Sequence, residues 1–426
     1  MNLISIIDPS SFLKTYTRFH KRDRNIQKQV TEIIDTVIEK QDKALIDFTK
    51  KFDHVDLKNI RVPKQSISDA LQSIDSKTQE IFEHAIENVR KFHQKQLQQS
   101  WQDTFEDGTK LGQIFSPIDR VGIYIPGGRA VYPSTLIMNA VPAQIAGVQS
   151  IVAISPPGKT GLPHPLILAT CNLLGLEEIY SIGGAHGIAA LAYGTETIKP
   201  VFKITGPGNA YVAEAKRQVF GAVGIDSIAG PSEILILHDD IDIPIEYIVR
   251  DLLSQAEHDP DARCTLITVH EETAKKVSKR LDILIPQLPR NEIIEQSIRE
   301  NGRIIVVENL DQGVDLVNTI APEHFELLVK DKTIVSKIRN AGAIFVGKWS
   351  SEPLGDYYAG PNHTLPTNGA AKYASPLGVH DFQKHSSYIE YSKDRVDSQG
   401  NDIVYFAELE ELYAHAAAIK VRLEQL

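Results

Sequence analysis

The sequence predicts an α/β protein with two lobes, each built on a mostly parallel sheet. From about residue 120, short runs rich in β-branched residues alternate with helical stretches, as in "RVGIYIP", "SIVAIS" and "EILILH". That alternation is typical of βαβ units. The runs are too many for one ordinary sheet, and 426 residues exceed what a single hydrophobic core usually serves.

Helices are predicted at both ends of this α/β region. Residues 24–54 keep apolar side chains at helical spacing, among them Val30 and Ile34, and a second helix covers about 78–98. From about residue 402 the chain becomes an amphipathic helix rich in alanine and leucine. We therefore expect an N-terminal helical segment and a C-terminal helical tail around the two lobes.

The composition indicates a soluble protein that does not bind polyanions. The chain carries 45 basic and 55 acidic residues, whereas phosphate and anionic membrane surfaces attract basic protein surfaces. Its two cysteines, Cys171 and Cys264, cannot form a disulfide framework and fit a reducing compartment. We see no signal peptide and no segment with the ~20 apolar residues that span a bilayer. We expect a cytoplasmic protein without a nucleic-acid or membrane partner.

Three glycine-bearing segments follow predicted strands: "YIPGGRAVYPS" (124–134), "SIGGAHGIAALAYGTE" (181–196) and "ITGPGNAYVAEAK" (204–216). Glycine after a strand lets the backbone approach a phosphate, and the next helix N-terminus offers unpaired N–H groups. Each motif alone is weak, because strand-to-helix turns need glycine for purely structural reasons about as often. Three such turns in one lobe favour a nucleotide-binding crevice there.

Polar side chains with metal-binding or acid–base chemistry are concentrated in four segments. Each segment alone also has an ordinary interpretation, such as a polar helix end, an exposed Glu-His pair, a turn with a capping Asp, or a surface histidine. Zn²⁺ favours nitrogen and carboxylate oxygen where cysteine is scarce, although spacing along the chain does not establish convergence. The segments carry Gln255 and His258 before Pro260, Glu323 and His324, Asp356 and His363, and Glu410, Glu411 and His415.

The chain resembles histidinol dehydrogenase from about residue 20 to the C-terminus. "RVGIYIPGGRAVYPST", "KITGPGNAYVAEAKRQV", "DLLSQAEHDP", "PEHFELL" and "GDYYAGPNHTLPT" occur in the same order as in that family. The resemblance implies a zinc-dependent enzyme of histidine biosynthesis. It would oxidise L-histidinol to L-histidine through L-histidinal and reduce two NAD⁺ in turn.

The resemblance also implies roles for individual residues. Glu323 and His324 would carry the acid–base chemistry. The implied Zn²⁺ ligands are Gln255, His258, Asp356 and His415. These ligands and His324 would also contact substrate, together with Ser232, His363 and Glu410. The implied NAD contacts are Tyr124, Asn209 and His186, the last at a position where the family usually has Gln. His415 would come from the neighbouring subunit, through a C-terminal segment exchanged in a homodimer.

With the resemblance we expect two Rossmann-like lobes and a tail. The expected boundaries are an N-terminal arm over 1–20, a first lobe with the metal and catalytic residues over 21–123 and 232–376, an NAD-binding lobe over 124–231, and a helical tail over 377–426.

Elementary chemistry constrains these roles. Three neutral ligands and one Asp leave Zn²⁺ about one positive charge, which suits a metal that orients the substrate. His324 has a suitable pKa for a base, and a carboxylate at Glu323 could activate water for the second oxidation. Neighbours on a strand point to opposite faces, so this pair requires a loop or a bend. On a continuous last helix His415 would face Glu411, whereas the resemblance selects Glu410.

Two other functions are kept as alternatives. A zinc hydrolase would use Glu323 as the base for a metal-bound water and would need no NAD⁺. A nucleotide-binding scaffold with a structural metal would have no turnover. Aldehyde oxidation through a covalent cysteine adduct is disfavoured, because Cys264 is predicted in a buried strand and Cys171 in a helix.

Overall fold

The computed structural model describes residues 3–16, 23–127 and 131–425. The strands are β1 Ser5–Ile7, β2 Trp101–Thr104, β3 Lys110–Pro117, β4 Arg120–Tyr124, β5 Ser150–Ile154, β6 Glu178–Tyr180, β7 Lys203–Thr205, β8 Gly224–Ile225, β9 Glu233–His238, β10 Arg263–Thr268, β11 Arg303–Val306, β12 His324–Leu328, β13 Ala343–Val346 and β14 Gln383–Glu390.

The helices alternate with these strands over most of the chain. They are α1 Pro9–Thr15, α2 Arg24–Phe52, α3 Lys64–Ser73, α4 Ser76–His93, α5 Pro133–Ala146, α6 Pro165–Leu173, α7 Gly184–Tyr193, α8 Ala210–Val219, α9 Ile245–Ala256, α10 Glu271–Leu284, α11 Asn291–Asn301, α12 Leu310–Ile320, α13 Glu352–Tyr357, α14 Lys393–Leu409 and α15 Tyr413–Leu423. Short 3₁₀ turns span Gln94–Gln96, Ile285–Gln287, Lys332–Lys337, Ala370–Lys372 and Val379–Phe382. No described helix is long and apolar enough to span a membrane.

The first sheet has the order β1-β11-β10-β9-β12-β13, and all its strand pairs are parallel. Strands β9 and β12 are buried along their whole length. Helices α9, α10 and α11 cover one face of the sheet, and α1 and α12 cover the other. Burial on both faces explains why the central strands read as continuous apolar runs.

The second sheet has the order β6-β5-β4-β7-β8, also with parallel pairs. Helices α2, α7 and α8 pack on one face, and α3 to α6 pack on the other. Two lobes with parallel sheets confirm the predicted fold class.

Two lobe boundaries differ from the expectation. We expected 21–123 in the first lobe, but the apolar faces of α2 and α4, with Val30 and Val89, join the cores of the second sheet. Strand β4 itself belongs to that sheet. The expected arm over 1–20 contributes β1 as an edge strand of the first sheet, while residues 1–2 and 17–20 lie outside the described ranges.

We expected a helical tail over 377–426, but this region also contains a strand. Strand β14 pairs antiparallel with β3, and β3 pairs with β2, which makes a small third sheet. Helices α14 and α15 then pack on each other through Val404, Ala407 and Ala416. The predicted last helix is broken at Glu411, whose φ of 59° is left-handed. Glu410 is therefore the C-cap residue of α14, whereas His415 lies in α15.

Helix α2 contains one strained residue, and its replacement is our first prediction. Gln41 has φ 54° and ψ −134°, a conformation that favours glycine. Gln41→Gly should therefore stabilise the folded chain by about 1 kcal/mol, after the entropy cost of glycine is subtracted. The neighbouring Lys40→Gly, at an exposed helical position, should destabilise it by about 1 kcal/mol. Urea unfolding of both variants measures these changes in the free energy of unfolding. If Gln41→Gly loses as much stability as Lys40→Gly, Gln41 is not strained.

Candidate active site

The predicted site residues outside the C-terminal tail lie at one end of each of the two parallel sheets. In the first sheet they gather at the amino ends of the strands, because Ser232 immediately precedes β9 and His324 begins β12. In the second sheet the glycine turns follow the carboxyl ends of β4 and β7, with Asn209 at the N-cap of α8. Of the first of these turns, residues 128–130 lie outside the described ranges.

Glu323 and His324 meet the geometric requirement set by their adjacency. Glu323 lies in the loop before β12, after Ala321 has turned the chain in a left-handed conformation with φ 54°. Its Oε2 accepts the N–H of Glu233 at 2.8 Å and lies 3.7 Å from Nδ1 of His324. Both side chains are buried, and they adjoin each other because the pair lies at the junction of loop and strand.

The hydrogen bonds of His324 fix which ring nitrogen is available. Nδ1 lies 3.1 Å from the carbonyl oxygen of Glu233, and a carbonyl only accepts, so Nδ1 carries a proton. Nε2 is buried, forms no hydrogen bond with the described residues and lies 3.7 Å from Oδ1 of Asp356. The reactive nitrogen therefore faces the carboxylate predicted to bind a metal.

Burial and charge shift the pKa values of this pair. Burial alone would lower the pKa of His324, but the carboxylates of Glu323, Asp356 and Glu352 outweigh it and raise that pKa to about 10. Burial raises the pKa of Glu323 to about 7, against the opposing effect of the neighbouring imidazole. Strongly shifted acid and base groups in one buried cluster are typical of a catalytic site.

Three side chains form a group that could hold a cation. Ligand atoms of His258, Glu352 and Asp356 lie within 4.8 Å of one another. His258 lies in the turn that ends α9, whereas Glu352 and Asp356 lie four residues apart on one face of α13. The structure thus brings together two of the predicted ligands from distant segments.

Gln255, a third predicted ligand, lies three positions before His258 and is fully buried. Both polar atoms of its side-chain amide are buried without a hydrogen-bond partner among the described residues. A buried amide left unpaired costs free energy unless a ligand satisfies it. Imidazole nitrogen with carboxylate and amide oxygens suits Zn²⁺, so the residues present fit this metal.

Glu352 is the residue that sequence reasoning missed. It is 1% exposed, accepts the hydroxyl of Ser254 at 3.0 Å, and its N–H donates to Glu326 at 2.9 Å. Burial raises its pKa to about 8, and the nearby Asp356 adds to this. The signal in the sequence was the i, i+4 spacing of Glu352 and Asp356. We missed this spacing because "GDYYAGPNHTLPT" is typical of a loop, whereas the structure places Asp356 in α13.

The predicted substrate residues divide into two groups. Nδ1 of His363 donates to the backbone oxygen of Asp356 at 3.0 Å, which keeps this ring beside the cation group. Ser232 is half-buried before β9. Glu410 and His415 are exposed in the tail, and no tail residue belongs to the cation group in the described parts of the chain.

A cavity of about 1260 Å³ lies over the carboxyl ends of the second sheet. It contains all three residues predicted to contact NAD. Tyr124 is buried, its hydroxyl accepts the N–H of Gly184 at 3.3 Å, and burial raises its pKa to about 12. Asn209 caps α8 through its side-chain oxygen. All residues that line the cavity belong to the second lobe, including α2.

His186 occupies the position where the family resemblance predicts Gln. Its Nε2 lies 3.3 Å from the hydroxyl of Thr49, and its ring packs against Phe48 and Phe52. Burial lowers its pKa to about 3, so the ring is neutral. Nδ1 is buried without a partner among the described residues, so one nitrogen remains for a ligand.

A buried ion pair fixes the glycine turn before α8. Lys216 pairs with Asp226 and donates to the backbone oxygen of Gly206 at 3.0 Å, while the Gly206 N–H donates to Asp226 at 2.8 Å. Gly206 has φ 109°, and a Cβ there would lie 2.1 Å from the Tyr124 backbone oxygen. The turn can therefore pack against the end of β4 only with glycine at this position.

Both cysteines are buried, Cys264 in β10 and Cys171 in α6. Burial raises the pKa of the Cys264 thiol to about 12 and raises that of Cys171 as well. The thiolate needed for a covalent aldehyde adduct is therefore disfavoured at both positions.

Comparisons with known proteins agree over nearly the whole chain. A family model described as histidinol dehydrogenase matches residues 16–423. The histidinol dehydrogenase of Bacillus subtilis (strain 168) is 49% identical over 397 residues, covering 93% of both proteins. That of Halalkalibacterium halodurans is 51% identical over 399 residues, covering 93% of this chain and 94% of that protein. The crystal structure of histidinol dehydrogenase from Elizabethkingia anophelis has a TM-score of 0.95 and 36% identity, and covers 100% of this chain and 99% of that one. The chain belongs to the histidinol dehydrogenase family.

Proposed function

We propose that this enzyme oxidises L-histidinol to L-histidine through L-histidinal, with Zn²⁺ bound and NAD⁺ as oxidant. One observation carries the proposal: the Glu323–His324 pair shares a buried cluster with the imidazole and carboxylate donors of the cation group. The oxidation of an alcohol needs both a proton acceptor and a fixed substrate, and this cluster provides groups for each.

The cation would be held by Gln255, His258 and Asp356, with Glu352 as a further carboxylate and His415 from a partner subunit. When bound, the metal supplies positive charge that offsets the carboxylates and orients the amine and imidazole of the substrate. His363 and Ser232 would hold the substrate from the first lobe, and Glu410 would do so from the partner's tail.

The carboxylates around His324 raise its pKa, and a cation bound to them would offset their charge and lower it again, which leaves Nε2 unprotonated. In the first oxidation, Nε2 of His324 then takes the hydroxyl proton as the carbinol carbon loses hydride. Bound NAD⁺ supplies the hydride acceptor. The proton on Nδ1 is held by the Glu233 carbonyl, so the ring stays oriented while Nε2 gains its proton. His324 then acts as a positioned base rather than a freely rotating one.

In the second oxidation, Glu323 removes a proton from the water that adds to the aldehyde. Its pKa of about 7 allows this carboxyl to accept and release a proton near neutral pH. His324 returns its proton to the aldehyde oxygen as the water adds, which gives a hydrate and frees Nε2. The hydrate is again an alcohol, so Nε2 of His324 can take its hydroxyl proton as in the first step. One pair of adjacent residues would therefore serve both steps.

The test is the absorbance of reduced nicotinamide after histidinol and NAD⁺ are added to the zinc-loaded protein. We expect two reduced cofactors for each histidinol consumed, with histidine as the product. A zinc hydrolase would need no NAD⁺, and a scaffold would show no turnover. Lack of reduced cofactor with confirmed zinc loading would overturn the proposal.

We also propose that two copies exchange their tails, so that His415 and Glu410 complete the partner's site. The tail exposes large apolar side chains, with Tyr405, Phe406 and Tyr413 each more than 60% exposed. An apolar surface of this kind is typical of a protein interface. Exposure of both predicted site residues within one chain fits a contribution to another chain.

Mixing two inactive variants tests the exchange. In a hybrid of His415→Ala and His324→Ala subunits, one site contains neither lesion if the tail acts in trans, so random mixing should restore up to about a quarter of wild-type activity. A hybrid of His258→Ala and His324→Ala is the control and should recover nothing, because each chain carries its own first-lobe lesion. No recovery in confirmed His415→Ala/His324→Ala hybrids would place His415 in the site of its own chain.

A further inference from the structure

Asp53 is a carboxylate in an electrostatically unfavourable position. It is the C-cap residue of α2, where the helix dipole carries partial negative charge and disfavours an acid. Neither lysine of the last helical turn pairs with it, because Lys50 pairs with Asp56 and Lys51 lies over the ring of Phe52. A residue kept at such a position is a candidate for a binding role.

One oxygen of the Asp53 carboxylate also lacks a hydrogen-bond donor among the described residues. This oxygen, Oδ2, is buried, and the residue lines the 1260 Å³ cavity beside Tyr124. Burial raises the pKa of Asp53 to about 6, in spite of the nearby His54. An ionised carboxylate can only accept hydrogen bonds, and no described residue donates one to this oxygen. A ligand in the cavity that carries O–H or N–H groups would supply the missing donor.

The position of the cavity identifies which part of a dinucleotide would meet Asp53. Every residue that lines the cavity belongs to the second lobe, whereas the proposed reacting nitrogen of His324 belongs to the first. The nicotinamide ring must therefore lie at or beyond the cavity rim. The adenosine half remains inside, where Phe48 and Phe52 offer flat apolar surfaces for a base.

We infer that Asp53 accepts the hydroxyl groups of the adenosine ribose and makes the enzyme select NAD⁺ over NADP⁺. This inference rests on the proposed function. A ribose diol presents two O–H donors, which suit the two oxygens of a carboxylate. A 2′-phosphate would replace one donor with negative charge, and the unpaired carboxylate would repel it.

Binding of ADP-ribose and 2′-phospho-ADP-ribose to the zinc-loaded protein, measured by calorimetry, tests this inference without turnover. Wild-type protein should bind ADP-ribose at least about 10-fold more tightly than the phosphorylated probe. Asp53→Ala should weaken ADP-ribose binding about 10-fold, and Asp53→Asn should remove most of the discrimination between the two probes.

Two controls distinguish a binding role from a structural one. Glu32→Gln removes another carboxylate that lines the cavity, at the N-terminal half of α2, and should leave the discrimination unchanged. Asp53→Asn should raise the Tm of the unliganded protein, because a charge disfavoured by the helix dipole is removed, whereas a structural Asp would lower it.

The outcomes separate this inference from the proposed function. If wild-type protein binds ADP-ribose and the Asp53 variants bind it equally well with the same discrimination, the role of Asp53 is wrong. If wild-type protein binds neither probe nor NAD⁺, the dinucleotide site itself is wrong, and the inference fails with it.

Discussion

Replacing His324 by alanine is expected to lower kcat for histidinol oxidation by about 10²–10⁴-fold, with the metal still bound. His324 is the described imidazole whose unpartnered Nε2 faces Asp356, while its Nδ1 is held by the Glu233 carbonyl. Loss of this ring removes the proposed base for both oxidations. The residues proposed to hold the metal remain in place, so substrate affinity should change far less than kcat.

Steady-state kinetics and metal analysis of the same preparation measure this effect. His84→Ala, which changes an exposed histidine on α4, is the matched control and should behave as wild type. Comparable losses of zinc in His324→Ala and in a variant of a proposed ligand would show that the two roles are misassigned. Wild-type turnover in His324→Ala would exclude the proposed base.

Replacing His258 by alanine is expected to abolish activity through loss of the metal. His258 is the described imidazole of the cation group, so its removal leaves two carboxylates and an amide, which are harder ligands than Zn²⁺ prefers. Removal of residues that only orient metal ligands weakens metal binding about 10–100-fold. Loss of a ligand itself should therefore lower the affinity for Zn²⁺ by at least about 100-fold.

Thermal unfolding with and without a chelator gives a readout that is independent of turnover. A metal bound only by the folded state raises Tm, so EDTA should lower the Tm of wild-type protein and of His324→Ala. It should leave the Tm of His258→Ala unchanged, because that variant has no metal to lose. A chelator effect of wild-type size in His258→Ala would remove this residue from the metal site.

The sequence predicted the main architecture because strand and helix patterns are local. Buried runs such as "EILILH" at β9 follow directly from parallel strands covered on both faces. The lobe boundaries were harder, because the apolar stripe of α2 shows that the helix is buried but not which sheet it packs against. Strand β14 and the break at Glu411 were likewise missed, since both depend on contacts and backbone geometry that helical periodicity does not record.

The sequence by itself determined the family, the fold class and the residue types available for chemistry. The tertiary structure decided which of these residues meet. It brings His258, Glu352 and Asp356 into one group and places the Glu323 carboxylate beside the His324 ring. It also leaves one oxygen of Asp53 without a partner in the cavity among the described residues. Spacing along a chain fixes only which side chains share a helix face or a strand edge. Their approach across a hundred residues, and the pKa values that follow, depend on packing and burial, which exist only in the folded chain.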